Sequence, residues 1–163
     1  NTVYPTLQPS IAVVPMIISG VVISMSAFSW PDIKEICLIE EKIDEGGLVF
    51  VAVDRTSATA RNRVLRHKFL GKVAEFPYGV FMMVALLKVP VYYIFGMRDK
   101  SVTLFPKHHI YVEKSTVDLD CERNEREQRI NDLCLEFIGK LEKFVQLYPF
   151  QWYNFHNFWL LQE

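Results

Sequence analysis

The sequence predicts an α/β fold in which a mostly parallel central sheet is flanked by helices, and three stretches of the chain support this prediction. Residues 48–53 (LVFVAV) form a continuous apolar run of strand length, which is typical of a central strand covered on both faces. Residues 69–98 indicate the end of one strand, a Gly/Pro turn, a short apolar helix and a second buried strand. Residues 122–146 place apolar side chains at helical spacing and predict the longest helix.

Length and composition indicate one globular domain over residues 1–163. Half of the 163 residues are apolar, which is enough to bury a core. The formal net charge of −1 gives no general attraction to nucleic acid, so we expect no nucleic-acid partner and only local anion sites. Cys37, Cys121 and Cys134 are an odd number without C-x-x-C spacing. Neither a disulfide framework nor a zinc site is indicated, and we expect no metal and no cofactor.

The first 31 residues contain no charged side chain, and residues 11–30 are mostly apolar, which meets the length of a membrane span. Pro15, Gly20 and several serines interrupt this run, and no basic segment precedes it as in a signal peptide. Two interpretations remain open: a membrane helix, or two buried strands over residues 11–14 and 17–25. The chain does not begin with Met, which is compatible with a piece of a longer protein.

The first predicted helix spans residues 32–44. Ser29 can cap this helix, and Gly46-Gly47 ends it. Its acidic residues are explained by a solvated face, because no histidine accompanies them as a further metal ligand. Four apolar side chains recur at helical spacing and predict its buried face: Ile33, Ile36, Ile39 and Ile43.

Charged residues follow the apolar run 48–53. Because ligands of open α/β sheets bind beyond the carboxyl ends of strands, Asp54-Arg55 are well placed for function, although a local ion pair explains them equally well. The basic run that comes next can meet the phosphate of a lipid headgroup or of phosphopantetheine. We favour the alternative, that these charges protect an edge strand from pairing with other chains. The run consists of Arg61, Arg63, Arg66, His67 and Lys68.

Two strands and a helix are predicted in the second half of the chain. Gly71 and Gly79 bracket a turn, and the helix over residues 80–87 is apolar nearly all round, so it is buried or in contact with lipid. A strand over residues 90–96 leads to Arg98, and residues 108–113 alternate as an outer strand.

The helix over residues 122–146 is followed by an aromatic tail over residues 149–159. Six aromatic side chains in this tail suit a membrane interface, or they pack back onto the core. The predicted buried stripe of the helix consists of Ile130, Leu133, Cys134, Phe137, Leu141 and Phe144.

No nucleotide-binding fingerprint, Walker motif or G-x-S-x-G elbow is present. Short motifs instead occur in a fixed order between residues 32 and 159: Gly46-Gly47-Leu48 to Arg55, Phe69-Leu70-Gly71, Ala74, Phe76-Pro77, Gly79, Pro90-Val91, Arg98, Pro149, Gln151-Trp152 and Phe155 to Trp159. Their order and spacing resemble the lysophospholipid acyltransferase superfamily, and within it the bacterial lipid A biosynthesis acyltransferases and their predicted relatives.

This resemblance implies transfer of a fatty acyl group from a thioester to a lipid hydroxyl. The implied donor is carried on acyl carrier protein or coenzyme A. The implied acceptor is a glycolipid or lysophospholipid of lipid A type, at the cytoplasmic face of the inner membrane, where the protein is expected to be peripheral or monotopic. In this family a His-x-x-x-x-Asp/Glu motif supplies a general base whose imidazole is oriented by the carboxylate.

The sequence departs from the family pattern at this motif. In the family the motif lies upstream of the helix assigned to residues 32–44, but no histidine precedes His67, so we expect a fold incomplete at its N-terminus and assign no catalytic residue. His108 and Glu113 fit the spacing alone. Because residues five apart on a strand point to opposite faces, we expect no catalytic pair there.

Six residues are assigned to substrate binding by the resemblance. Asp54, Arg55 and Arg98 are expected to line the pocket for the donor or the acceptor headgroup, whereas Phe69, Gly71 and Gly79 are expected to shape its wall. The leading hypothesis is an acyltransferase-like domain, or an inactive C-terminal fragment of one. The alternatives are a non-catalytic module that binds lipid or acyl carrier, and a small interaction protein anchored by residues 11–30.

Overall fold

A computed structural model describes residues 13–18, 33–45, 49–51, 53, 63–98, 107–152 and 159. These residues form a mixed α/β structure with two small antiparallel sheets and three α-helices. In chain order the elements are β1 (Val13–Ile18), α1 (Ile33–Asp44), β2 (Val49–Val51), β3 (Val64–Phe69), β4 (Lys72–Pro77), α2 (Tyr78–Leu87), β5 (Val91–Arg98), β6 (His108–Lys114), α3 (Arg126–Leu147) and a 3-10 turn (Pro149–Gln151).

The larger sheet has the strand order β2-β1-β5-β6, and the smaller sheet pairs β3 with β4. Every pair of described strands is antiparallel, so the mostly parallel sheet that the sequence predicts is not shown. The prediction rested on the continuous apolar run before Asp54. Such a run indicates burial on both faces but carries no information on the direction of the neighbouring strand.

Strand β4 replaces the turn that was predicted between Gly71 and Gly79. Leu70 and Gly71 have φ of 50° and 84°, and positive φ at both central residues is the requirement of a type I′ hairpin turn. Ala74 and Phe76 point inward along β4 and are buried, while Glu75 between them is partly exposed. Gly79 lies inside the first turn of α2 and not in a loop.

Helix α3 packs against both sheets. Its predicted stripe is confirmed, since all six of those side chains are buried. On β5, alternate residues are buried, and the rings of Phe95 and Phe144 stack with centroids 4.3 Å apart. On the hairpin side, Phe76 meets Phe137 edge to face at 6.3 Å. Helix α2 is buried nearly all round, as its composition predicts, and contacts Phe137 through Phe81.

Two alternatives were left open by the sequence: a membrane helix or strands near the start of the chain, and an exposed or a packed aromatic tail. The structure bears on part of each. Val13–Ile18 is a strand, which supports the strand interpretation over those residues, while residues 19–30 lie outside the described part. None of the helices described is both long and apolar enough to cross a bilayer. In the aromatic tail, Trp152 and Trp159 pack against the core, whereas Phe150 is 87% exposed.

Candidate functional site

The six candidate residues are distributed over three places in the chain. Asp54 and Arg55 lie outside the described residues, directly after Val53, which is 2% exposed. Phe69, Gly71 and Gly79 lie on the β3–β4 hairpin and the start of α2, and Arg98 ends β5. Residues after α3 contact two of these places: Trp159 contacts the hairpin, and Gln151 contacts the end of β5.

Phe69 lies in the hydrophobic core. It is the last residue of β3 and is fully buried. Its ring lies 6.2 Å from that of Phe76, 5.2 Å from Trp152 and 6.2 Å from Trp159, on which it stacks. We call these four side chains the Phe69 cluster. Aromatic pairs at such distances add stability beyond the area that they bury.

Trp159 is tied to the hairpin by its indole as well as by packing. The indole Nε1–H donates to the carbonyl oxygen of Phe69 at 3.0 Å, and Trp159 also forms an antiparallel bridge with Ala74. In a two-residue hairpin turn this carbonyl also faces the N–H of Lys72, its partner in the ladder, so the indole is an additional donor to it. Trp159 is thereby fastened to the hairpin at its turn.

The two candidate glycines, Gly71 and Gly79, occupy different kinds of backbone structure. Gly71 is exposed at the hairpin turn, and a Cβ atom there would meet no atom within 4 Å, so the requirement for glycine comes from its positive φ and not from space. The neighbouring N–H of Leu70 donates to Glu142 of α3, which fixes the turn against that helix. Gly79 is partly buried in the first turn of α2.

Arg98 is held through its backbone. Its N–H donates to Oε1 of Gln151 and its carbonyl accepts from Nε2 of the same side chain, both at 2.8 Å. The residue is exposed, and its guanidinium makes no ion pair with any residue that the structure describes. A cationic group is thus available to solvent at the end of β5, on a backbone fixed by the 3-10 turn.

An apolar crevice lies below this end of β5. It is narrow and is formed by β5, the last turns of α3 and the 3-10 turn, so that Gln151 and Trp152 line it next to Arg98. Its other lining residues are Phe95, Met97, Leu141, Phe144, Val145 and Tyr148. The space inside it is about 10 Å³, room for about one water molecule, so the crevice as described is too small for an acyl chain. Arg98 does not line it, because Met97 does and successive side chains of a strand point to opposite faces.

His108 and Glu113 are not brought together. Glu113 faces α3, where it accepts from Lys140 Nζ at 2.6 Å and lies 3.6 Å from Lys143 Nζ. The hydrogen bond from Lys140, together with the charges of both lysines, lowers the pKa of the Glu113 carboxyl. His108 is exposed at the opposite end of β6, beside Arg98. The carboxylate is therefore occupied by lysines and does not orient an imidazole.

Sequence reasoning missed a polar network around Glu136. This carboxylate accepts from the backbone and hydroxyl of Thr116, from the Ser115 hydroxyl and from the Tyr93 hydroxyl. Burial alone would raise the pKa of Glu136, but these donors lower it overall. Burial raises the pKa of Tyr93, so it stays a neutral donor. Each of these polar groups has a hydrogen-bond partner within the network. The network joins α3 to the segment after β6.

A second polar group lies between the hairpin and α2. The Tyr78 hydroxyl donates to Glu127 at 2.6 Å, and Arg63 lies 4.4 Å above the Tyr78 ring. Burial first, and then the bond to Glu127, raises the pKa of Tyr78 to about 12. Burial lowers the pKa of His67, against a hydrogen bond with Asn131. In the basic run, Arg66 bonds Glu75 across the hairpin, so that charge is already paired.

Two pairs of residues from the motifs quoted above are therefore in contact: Phe69 with Trp159 and Arg98 with Gln151. Over the part of the chain that is described, no three metal-ligating side chains come together. No protein-family model, no curated protein and no solved structure matches the chain, so these comparisons indicate no family.

Proposed function

We propose that the chain is an acyltransferase-like protein of the lysophospholipid acyltransferase superfamily, related to the lipid A biosynthesis branch. Its reaction would move a fatty acyl group from an acyl carrier protein or coenzyme A thioester to a hydroxyl of a glycolipid or phospholipid. The site of action would be the cytoplasmic face of the inner membrane. The observation that carries the proposal is that separate parts of the resemblance are bonded to one another.

These bonds depend on residue type. Trp159 reaches the Phe69 carbonyl through an indole N–H, which phenylalanine or tyrosine does not have. Gln151 bonds both backbone groups of Arg98, which needs one donor and one acceptor on the same side chain. The two contacts join motif residues that are 53 and 90 positions apart, so these motifs are neighbours in the fold.

The substrate class rests on the resemblance. The crevice near the end of β5 has an almost wholly apolar lining with Gln151 as its main polar group, but at about 10 Å³ it would have to widen to take an alkyl chain. Arg98, which is exposed at the end of β5 outside that lining, is a candidate ligand for the phosphate of a lipid headgroup or of the pantetheine arm. Asp54 and Arg55 remain candidates for the same pocket on the basis of the resemblance.

A second candidate function, from another class, is a module that binds lipid or acyl carrier without catalysis. The contacts of Glu113 favour it, because the one histidine-carboxylate pair with the family spacing has its carboxylate bound to Lys140. In the enzymatic proposal the base is supplied by a His-x-x-x-x-Asp/Glu motif, for which this chain has no counterpart before residue 67.

The proposal also includes the mostly parallel sheet of that family. The antiparallel pairs described above do not support this part. A structure determined with an upstream extension, where the source gene encodes one, tests it, because the family fold requires an added strand to pair in parallel with the larger sheet.

The functional test measures thiol release and ligand binding together. This chain and an upstream-extended chain are incubated with long-chain acyl thioesters and a lysolipid or lipid A precursor, and the melting temperature is recorded with each ligand. Thiol release in the extended chain supports the enzyme. A thermal shift without thiol release in either chain supports the binding module, and no response of either kind refutes both.

Arg98→Ala gives the site a specific test, with Arg66→Ala as its matched control. Both side chains are exposed arginines on strands, but Arg66 is paired with Glu75 on the hairpin, away from the crevice. We expect only Arg98→Ala to reduce the thermal shift with an acyl thioester. Equal effects of the two variants would contradict the assignment of Arg98.

A further inference from the structure

Strand β6 forms one edge of the larger sheet. The face of β6 that is turned away from α3 is unusually apolar. Among the described strands it pairs with β5 alone. Ile110 is 72% exposed and Val112 is 56% exposed, on the face turned away from α3. Proteins commonly protect an edge strand by a proline, a bulge or a charge in its centre, and the centre of β6 has none of these.

The hydrogen-bond pattern shows which backbone groups of β6 point outward. The Ser115 N–H donates to the Val91 carbonyl at 2.8 Å, directly beyond the pair Tyr92 and Lys114. Because residues of an antiparallel strand alternate in the side to which they bond, Glu113, Tyr111 and His109 bond to β5. The outward N–H and C=O groups therefore belong to the alternate residues His108, Ile110, Val112 and Lys114.

We propose that β6 pairs antiparallel with β6 of a second copy of this chain, about a two-fold axis at Tyr111. In this register His108 faces Lys114 of the second copy, and Ile110 faces its Val112. The four outward residues of each strand then all take part, and each facing pair exchanges two hydrogen bonds. Shifting the register by two residues in either direction leaves an outward residue at one end of the strand without a partner.

The side chains are complementary to themselves in the same register. On the face away from α3, Ile110 and Val112 of one copy cover Val112 and Ile110 of the other, which buries the exposed apolar surface of both. On the α3 face, His109 lies opposite Glu113 of the second copy in a non-hydrogen-bonded pair, where facing side chains approach most closely. Glu113 keeps its ion pair with Lys140 of its own chain, so His109 adds a second partner to that carboxylate. On the other face, His108 lies opposite Lys114, a basic pair that this register has to tolerate. The contact is the same from both sides, so it closes as a dimer and does not propagate.

Val112→Pro tests the backbone pairing without breaking the fold. The Val112 N–H points away from β5, so proline removes an intermolecular donor and leaves the ladder between β5 and β6 intact. Val112→Thr, which keeps the N–H, is the control. We expect the unaltered chain to sediment as a dimer, and Val112→Pro to weaken association about a hundredfold or more with an unchanged far-ultraviolet circular dichroism spectrum.

Cysteine cross-linking tests the register. In a background with Cys37→Ser and Cys121→Ser, Tyr111→Cys places two thiols opposite each other on the two-fold axis, within disulfide reach. Ile110→Cys places them on diagonal positions, which are too far apart. Oxidation is expected to give a covalent dimer with Tyr111→Cys and not with Ile110→Cys.

Substitutions of His109 test the charge complementarity between His109 and Glu113 of the second copy. His109→Glu sets two carboxylates opposite each other at two symmetric places and is expected to weaken the dimer roughly tenfold, whereas His109→Lys keeps the attraction. A chain that is monomeric up to about 100 µM overturns the proposal, since such association would be too weak for a defined edge contact. Association that survives Val112→Pro, or equal cross-linking at both cysteine positions, also overturns it. These results do not depend on thiol release or ligand binding, so the proposed function stands or falls separately.

Discussion

The hairpin β3–β4 and the strand pair β5–β6 are both antiparallel and both pack against α3, but they are held in different ways. The hairpin is fixed by single, specific contacts: the Leu70 N–H to Glu142 and the Trp159 indole to the Phe69 carbonyl. Both pairs also have a continuous ladder, with six facing residue pairs in the hairpin and seven in β5–β6. They differ in their attachment to the rest of the fold: buried rings around Phe69 hold the hairpin, whereas β6 is attached to α3 by the partly exposed ion pair of Glu113 and Lys140. Loss of one buried ring should therefore cost more stability than loss of that ion pair.

Replacement of Phe69 by alanine should have the largest effect. The side chain is fully buried among three other rings, so truncation leaves a cavity and is expected to lower the free energy of unfolding by about 3–5 kcal/mol. Urea denaturation followed by tryptophan fluorescence measures this change. Phe150→Ala, at a phenylalanine that is 87% exposed, is the matched control and is expected to change stability by under about 0.5 kcal/mol. Similar losses in the two variants would show that the hairpin is not specially fixed.

Trp159→Phe tests the contribution of the indole hydrogen bond to stability separately from that of ring packing. Phenylalanine keeps a ring on the Phe69 cluster but removes the indole N–H, which leaves the Phe69 carbonyl without that donor. The expected loss is about 0.5–1.5 kcal/mol, measured in the same urea experiment. Phe150→Leu, at an exposed position of the same tail, should have little effect. A neutral Trp159→Phe would assign the role of Trp159 to ring packing alone.

Gly71→Ala tests the hairpin turn against a glycine in regular structure. A Cβ atom meets no atom within 4 Å at either Gly71 or Gly139, so the two sites differ in backbone conformation and not in space. At Gly71, with φ of 84°, alanine should cost about 1–2 kcal/mol. At Gly139, in α3, it should stabilise by about 0.5–1 kcal/mol. Equal changes of stability in the two variants would refute the turn assignment.

The sequence was sufficient for elements with a regular period. The stripe of α3 and the apolar α2 were predicted correctly because burial repeats along a helix. The direction of the neighbouring strand was not predictable, because Leu48–Val53 would be equally apolar beside a parallel or an antiparallel strand. The hairpin was missed because Leu70-Gly71 lacks the Asn-Gly or Asp-Gly signal of such turns.

The contacts at the candidate site could not have been found by any local rule. Gln151 bonds the backbone of Arg98, and Trp159 bonds that of Phe69, so each contact joins a side chain to a main-chain group far away in the sequence. Such contacts leave no periodicity. Phe69, which the resemblance assigns to a pocket wall, is fully buried.

The smallest expected effect is the pH dependence of the β5–β6 side. The hydrogen bond from Lys140 lowers the pKa of Glu113 in the folded chain below its ordinary value of 4.5. The stabilisation is therefore complete above that value and is lost as the pH falls through the folded pKa. The melting temperatures of the unaltered chain and Glu113→Gln should differ at pH 6 and converge as the pH is lowered through the pKa of the folded carboxyl. The difference should shrink with added salt, because Glu113 is partly exposed. Glu125→Gln, at an exposed carboxylate before α3, is the control, and a difference that persists at low pH would contradict an ionic role for Glu113.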